Sequence, residues 1–185
     1  MFDKAYALAE TDLEKERIRL FDEAILQGIE RGVKRYDALL QADRRLVLKM
    51  GIAGEAKIED AGTVSVVHNA GEWTVGFSDL SPEWRKVQVV LDPGRRRREV
   101  VSASVDRKGR EEVTSGVRMS GIRPEKNAVS FRLQLPPEAR SEFTPAKVWG
   151  GDFYIWSGKN DKPTQWSSTG RQPKDPEGFG IIEFR

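Results

Sequence analysis

One histidine and no cysteine set narrow limits on what this chain can catalyse. The missing thiols remove disulfides, thiolate nucleophiles and zinc-thiolate sites. A multi-histidine metal site is excluded, and a Ser-His-Asp triad would have to run through His68 alone. His68 stands in step with Val64 and Val66 at the end of an alternating segment, so it reads as a packed or edge histidine. There is no G-x-S-x-G elbow and no P-loop, and Gly178-Phe179-Gly180 precedes a strand pattern where a dinucleotide fingerprint needs a helix. Carboxylates are plentiful, but Glu59, Asp60, Glu111, Glu112 and Asp161 fall at turns and ten others in a helical segment. Solvated acids keep pKa values near about 4 and make poor general acids at neutral pH. The separation of a glycosidase pair, about 5–10 Å, belongs to the fold, and nothing in the sequence singles out a pair. The expectation is a chain with no catalytic residues, no hydrolase activity and no metal or cofactor.

Binding chemistry is better represented. Arg95-Arg96-Arg97-Arg98 follows the turn signal Asp92-Pro93-Gly94. Four adjacent arginines can hold phosphate or an acidic polymer, but no aromatic is interleaved to stack on bases, so the run reads as a solvated hairpin tip. Five tryptophans are more informative. Trp73 lies in the apolar phase of its segment and reads as core. Trp149 and Trp156 flank the strand around Phe153, and at least one of them must be buried. Trp84, in Leu80-Ser81-Pro82-Glu83-Trp84-Arg85, and Trp166, in Lys162-Pro163-Thr164-Gln165-Trp166-Ser167-Ser168, fall in loops. A loop tryptophan covers the C–H face of a pyranose while nearby amides and charges bond its hydroxyls.

The elements that must position these groups fall into two textures. The length of 185 residues suits one domain with an added element. Residues 1–50 are predicted to be helical. Thr11-Asp12-Leu13-Glu14 fits a capping box, and Ile18, Phe21, Ile25, Ile29, Val33, Tyr36 and Leu40 recur at three- and four-residue steps as one apolar stripe. Gly51-Ile52-Ala53-Gly54 then reads as part of a linker over 51–59. From residue 60 the period changes to 2. Strands are predicted near 62–69, 73–77, 87–91, 99–106, 111–119, 129–135, 147–157 and 179–184, separated by turns such as Asn69-Ala70-Gly71 and Arg107-Lys108-Gly109. No helix–strand alternation suggests a parallel sheet. The predicted fold is mainly β: an antiparallel β-sandwich over 60–185 preceded by a long N-terminal helix.

A specific pattern runs through the β region. Trp84 precedes a strand closing in Val89-Val90-Leu91-Asp92-Pro93; then come Asp106-Arg107-Lys108-Gly109, Phe131-Arg132-Leu133-Gln134-Leu135-Pro136, Thr164-Gln165-Trp166-Ser167-Ser168 and finally Asp175-Pro176-Glu177-Gly178-Phe179-Gly180-Ile181-Ile182-Glu183-Phe184. This resembles the family 9 carbohydrate-binding modules and the related DOMON-like sandwiches, over about residues 60–185. The resemblance implies a non-catalytic carbohydrate-binding accessory module of a larger secreted glycoside-hydrolase-like protein, with a polysaccharide or oligosaccharide and the rest of that hydrolase chain as partners. It matches Trp84 to one clamp tryptophan and places Gln88 where the family has an acidic residue; Arg85, Asn160 and Trp166 fall around the implied ligand. The second clamp tryptophan falls near Pro173, and Trp166 matches a more structural "W-S". The loss of that clamp supports an alternative, a degenerate structural or interaction domain with no sugar binding. Family members hold structural calcium in some cases, but no Asp-rich loop here demands it.

Charge and hydropathy bear on location. Lys+Arg 31 against Asp+Glu 29 leaves a net charge of +2, which argues against a dedicated nucleic-acid partner. No apolar run approaches the ~20 residues of a membrane span. The first residues lack the layout of a signal peptide. The resemblance therefore implies an extracellular or periplasmic setting only as part of a larger protein.

Overall fold

The computed structural model describes residues 45–69, 71–93, 100–137, 139, 148–158, 162–167 and 179–185, together with residues 7–9, 11, 14, 15, 18, 25 and 28. The chain divides into two compact units, Met1–Asp43 and Arg44–Arg185. In the first, the Glu14 backbone N–H donates to Thr11 Oγ1 at 3.2 Å and the Thr11 N–H donates to Glu14 Oε2 at 3.1 Å, the reciprocal pair that the capping box requires. Most of the apolar stripe, from Phe21 to Leu40, lies outside the described residues apart from Ile25, which is exposed.

The second unit is built from two sheets. The larger contains β1 (Arg45–Leu48), β12 (Gly180–Phe184), β10 (Val148–Ser157), β5 (Trp84–Asp92), β6 (Val101–Asp106) and β7 (Glu111–Val113) in that spatial order, with β11 (Thr164–Gln165) also paired to β10. The smaller runs β2 (Gly54–Ile58), β3 (Gly62–Asn69), β4 (Glu72–Ser78), β9 (Val129–Gln134), β8 (Arg118–Pro124). Among the described residues every strand pairing is antiparallel except β1 with β12.

The sheets form where side chains alternate. Along β3, Val64 and Val66 are buried while Thr63, Ser65 and Val67 are half-exposed. Val66 pairs with Val75 and Val75 with Phe131, so one apolar row crosses the smaller sheet. The facing row of the larger sheet comes from Val87, Val89 and Leu91, Val101, Ala103 and Val105, and Trp149, Phe153 and Ile155. Both sets belong to one core, so the sheets pack face to face. Aromatic pairs cross the seam: Trp73 stacks on Trp149 at 5.9 Å and 15°, and Phe77 meets Phe153 edge-on at 6.5 Å. His68 is a packed core histidine with its ring 5.1 Å from that of Phe184, and burial holds its pKa below the usual imidazole range.

Two segments differ from the sequence expectation. Residues 45–48, assigned to the end of the helix, form strand β1, and residues 54–58, assigned to the linker, form strand β2. Both strands are short and flanked by charge, and their inward sets, Leu46 and Leu48, Ala56 and Ile58, contain only two residues each. Such short alternation is indistinguishable locally from helix or loop; what fixes β1 is a parallel partner at the far end of the chain. Gly54 is a packing residue: a Cβ there would lie 2.6 Å from Leu48 Cδ2. The turn over Arg107-Lys108-Gly109 forms as expected, with Gly109 at φ 78° and Asp106 accepting from the backbone of Lys108 and Arg110 at 2.8 and 2.9 Å.

Candidate functional site

The two outer faces of the sandwich are built from the residues that alternate away from the core. On the smaller sheet this set is Thr63, Ser65 and Val67 on β3, Thr74, Gly76 and Ser78 on β4, and Ser130 and Arg132 on β9, all at least partly exposed. On the larger sheet it is Gly150, Asp152, Tyr154 and Trp156 on β10, Lys86, Gln88, Val90 and Asp92 on β5, and Ser102 and Ser104 on β6. Most of these are buried, so the larger sheet is covered on both sides.

Strand register arranges this face in rows. Tyr154, Gln88, Ser104 and Glu112 are successive neighbours across β10, β5, β6 and β7. Trp156, Lys86 and Asp106 form the next row toward the edge. Asp152, Val90 and Ser102 form the row on the other side. Tyr154 packs with Val90 and Phe179 in a second apolar cluster, against which Val100 and Trp156 lie half-buried. The Tyr154 and Trp156 rings are 6.0 Å apart. Lys86 Nζ lies 5.5 Å from the centre of the Trp156 ring and 3.1 Å from Glu112 Oε2. A cation over a tryptophan face is held by the ring quadrupole, and the glutamate steadies it.

Beneath this edge is a buried polar network. Asp152 has no exposed surface. Its Oδ1 accepts from the backbone of Phe153 at 2.9 Å and of Ser167 at 3.0 Å, and the Ser167 hydroxyl donates to Oδ2. Gln165 Nε2 donates to Ser167 Oγ at 3.2 Å, and the Tyr154 side chain also bonds the carboxylate. Burial pushes the carboxyl up to about 6, against the pull of these hydrogen bonds. Asp152 thus departs from the expectation that the acids of this chain are solvated with ordinary pKa values. Gln88 Nε2 donates to Ser102 Oγ at 2.7 Å in the same layer.

The residues expected around a sugar do not come together. Trp84 has no exposed surface; it belongs to the core between the sheets, and its Nε1–H donates to the Lys126 carbonyl at 3.1 Å. The physical reason is that a large apolar ring with its single polar group satisfied gains more from burial than from a loop position. Trp166 is also core, 2% exposed, with its ring 5.5 Å from Phe153. Gln88 is 6% exposed and lies on the opposite face of β5 from Trp84, so the two share no site. Arg85 is exposed, and its carbonyl accepts from Arg107 N–H at 2.9 Å. Asn160 lies outside the described residues, as do the Arg95–Arg98 run and Pro173.

Trp156 is the tryptophan that keeps exposed surface, and it is not among the residues that the sequence resemblance places around a ligand. A signal for it was present. Residues 149–156 read Trp-Gly-Gly-Asp-Phe-Tyr-Ile-Trp, with one charge in the run, the pattern of a strand buried on both faces. The outward phase of such a strand is where a covered or ligand-facing layer lies. Among the described residues no cluster of three or more His, Asp or Glu side chains could hold a metal ion, and no helix is long and apolar enough to cross a membrane.

No family model matches the chain, and no curated protein matches it. Among solved structures it is similar to a "putative carbohydrate-binding protein" from Bacteroides uniformis, with 13% identity over 76% of this chain and 85% of that one, at a TM-score of 0.42. At that TM-score the likeness decides nothing about ligand or activity.

Proposed function

We propose that this chain is a non-catalytic carbohydrate-binding β-sandwich whose platform is Trp156 on the outer face of the larger sheet, in place of the Trp84 site read from the sequence. One observation carries the reading. Of the five tryptophans, Trp73, Trp84, Trp149 and Trp166 are buried, while Trp156 keeps open surface beside Lys86 and Glu112, with Gln88 and Ser104 in the adjoining row. An aromatic face bordered by hydrogen-bonding groups suits a pyranose ring. The oxygens of Asp152, a buried carboxyl of raised pKa, are occupied by protein donors, which suits binding without hydrolysis. In keeping with the sequence resemblance, the wider role we propose is an accessory module of a larger secreted glycoside-hydrolase-like protein, acting outside the cytoplasm.

Titration calorimetry and tryptophan fluorescence against a panel of neutral and acidic oligosaccharides test this. The expected Kd is about 10 µM to 1 mM, the range of one or two stacking contacts. Trp156→Ala should abolish the response and leave the fold intact. Silence across the panel, or binding that survives Trp156→Ala, sinks the assignment. A second reading, a structural domain without sugar affinity, is favoured by the burial of Trp84 and Trp166. It predicts that silence together with self-association or capture of the remaining hydrolase chain, seen by light scattering.

A further inference from the structure

On the smaller sheet, the outward residues are Glu72, Thr74, Gly76 and Ser78 on β4, Ser130, Arg132 and Gln134 on β9, and Arg118, Ser120 and Arg123 on β8. All keep at least part of their surface in water. Three arginines thus share this face with a single acid, Glu72, and no lysine or aromatic stands among them. Glu125 and Lys126, just past β8, balance one another. The register brings the arginines together. Arg132 is the cross-strand neighbour of Ser120, and Arg123 is the neighbour of Ser130. A bulge between Ser120 and Arg123, with Gly121 at φ 60°, takes up the extra residue and keeps Arg123 on the outward side. Arg118 and Arg123 are therefore the two diagonal neighbours of Arg132, about 7–8 Å away between Cα atoms.

Charged side chains on an edge strand guard it against pairing with another chain, and β8 is an edge. That accounts for Arg118 and Arg123. It does not account for Arg132, since β9 is paired on both sides, to β4 and to β8. Stability does not account for it either, because like charges on adjacent strands repel. Elsewhere in the sandwich Arg45, Arg110 and Arg185 are held in ion pairs, and Arg107 donates to the Pro82 carbonyl. Among the described residues the side chains of Arg118, Arg123 and Arg132 make neither an ion pair nor a hydrogen bond. A guanidinium fork matches the paired oxygens of an anionic group. The hydroxyls of Thr74 and Ser120 flank Arg132, and that of Ser130 faces Arg123, so hydrogen-bonding groups lie beside each fork. An open sheet face admits a linear chain. With no aromatic on it, the face offers neither a stacking platform for bases nor one for a neutral pyranose.

We propose that the outer face of β4, β9 and β8 is a second binding surface, separate from the Trp156 edge, for an anionic polysaccharide. Arg118, Arg123 and Arg132 hold its carboxylate or sulfate groups, and Thr74, Ser120 and Ser130 bond its hydroxyls. Its occupant is fixed by charge complementarity on this face and does not depend on the Trp156 reading.

The test is titration calorimetry of the full chain against a polyuronate, a sulfated glucan, a neutral glucan and single-stranded DNA. Binding to the polyuronate, the sulfated glucan or both is expected, and these two arms tell carboxylate from sulfate. The neutral glucan should not compete. Binding should be lost between about 0.01 M and about 1 M ionic strength, where the screening length falls from about 30 to about 3 Å. Arg132→Gln should weaken it about two- to fivefold, the range of one exposed ion pair, and the triple Arg118, Arg123 and Arg132→Gln variant by about tenfold or more. Arg132→Lys keeps the charge without the fork and should recover only part of the loss. Glu72→Gln should tighten binding about twofold. A control removes three charges elsewhere, Lys49, Lys57 and Lys108→Gln, all exposed. Equal weakening in that control would mean that net charge alone attracts the polymer, and it overturns the proposal. So does the absence of binding to either acidic polymer at low salt, or tighter binding of DNA than of both. Binding that survives the triple arginine variant and is lost in Trp156→Ala would assign the polymer to the other face, with the same consequence. Should the triple variant not fold, Arg132→Gln alone decides, and an unchanged affinity there overturns the proposal.

Discussion

The two outer faces of this sandwich are made by the same rule and have opposite fates. On β4 the outward residues Thr74, Gly76 and Ser78 remain at least partly in water. On β5 and β10 the outward residues Gln88, Val90, Asp92, Asp152 and Tyr154 are buried. The smaller sheet spends one face on the core and leaves the other polar, as antiparallel sheets commonly do. The larger sheet is a middle layer, and its second face carries hydrogen-bonded polar groups rather than a second oil-like core. Buried polar groups on that scale persist only when partnered, and the partners found here cross strands: Gln88 with Ser102, Asp152 with Ser167. Specific polar geometry is thus concentrated on one side of the molecule, and the exposed edge of that side is where Trp156 lies.

The contrast is open to test by substitution. The largest effect is expected at Tyr154→Ala, which removes a buried ring from the cluster with Val90 and Phe179; chemical denaturation should show a loss of about 3–5 kcal/mol. The same truncation at an outward position of β4 has no such ring to remove, and that asymmetry is the core of the comparison.

Next comes pH. Because the folded-state pKa of Asp152 is raised above its unfolded value, the folded chain binds more protons than the unfolded chain between about pH 4 and 6. Stability from this group is therefore greatest in acid and falls as pH rises through about 6, by an order-of-magnitude 3 kcal/mol. His68 acts in the opposite sense: its lowered pKa costs stability as pH falls below the ordinary imidazole value of 6.5. Urea unfolding across pH for wild type, Asp152→Asn and His68→Gln should separate the two slopes. A wild-type profile that rises monotonically from acid to neutral would mean that the buried carboxyl is not strained.

A smaller loss, about 1–2 kcal/mol, is expected for Gln88→Ala, which leaves the Ser102 hydroxyl buried with one partner fewer. The smallest belongs to Thr74→Ala on the exposed face, within about 0.5 kcal/mol of wild type by the same measurement. If Gln88→Ala and Thr74→Ala proved equal, the distinction between the two faces would be one of coverage alone, without energetic weight.

Much of this fold was legible in the chain. Val129-Ser130-Phe131-Arg132-Leu133 declares a strand and its inward phase without any partner, because successive side chains of a strand must point to opposite faces. Trp73 could be assigned to the core, and Thr11 with Glu14 to a capping pair, for equally local reasons, whereas His68 could be read only as packed or at an edge. The strands β1 and β2 were not legible, since two inward residues do not establish a period. The site was not legible either. Trp84 and Trp156 are the same residue type near strand ends, and only the packing of the second sheet closes over one and leaves the other half-open.

Local alternation, then, determined which residues share a face, because it follows from backbone geometry alone. Which face is covered, which tryptophan keeps its surface and which aspartate loses its water were decided by tertiary structure. Burial is a property of what packs against a residue, and here those neighbours arrive from strands far apart in the chain: β5, β10 and the segment around Ser167 and Phe179.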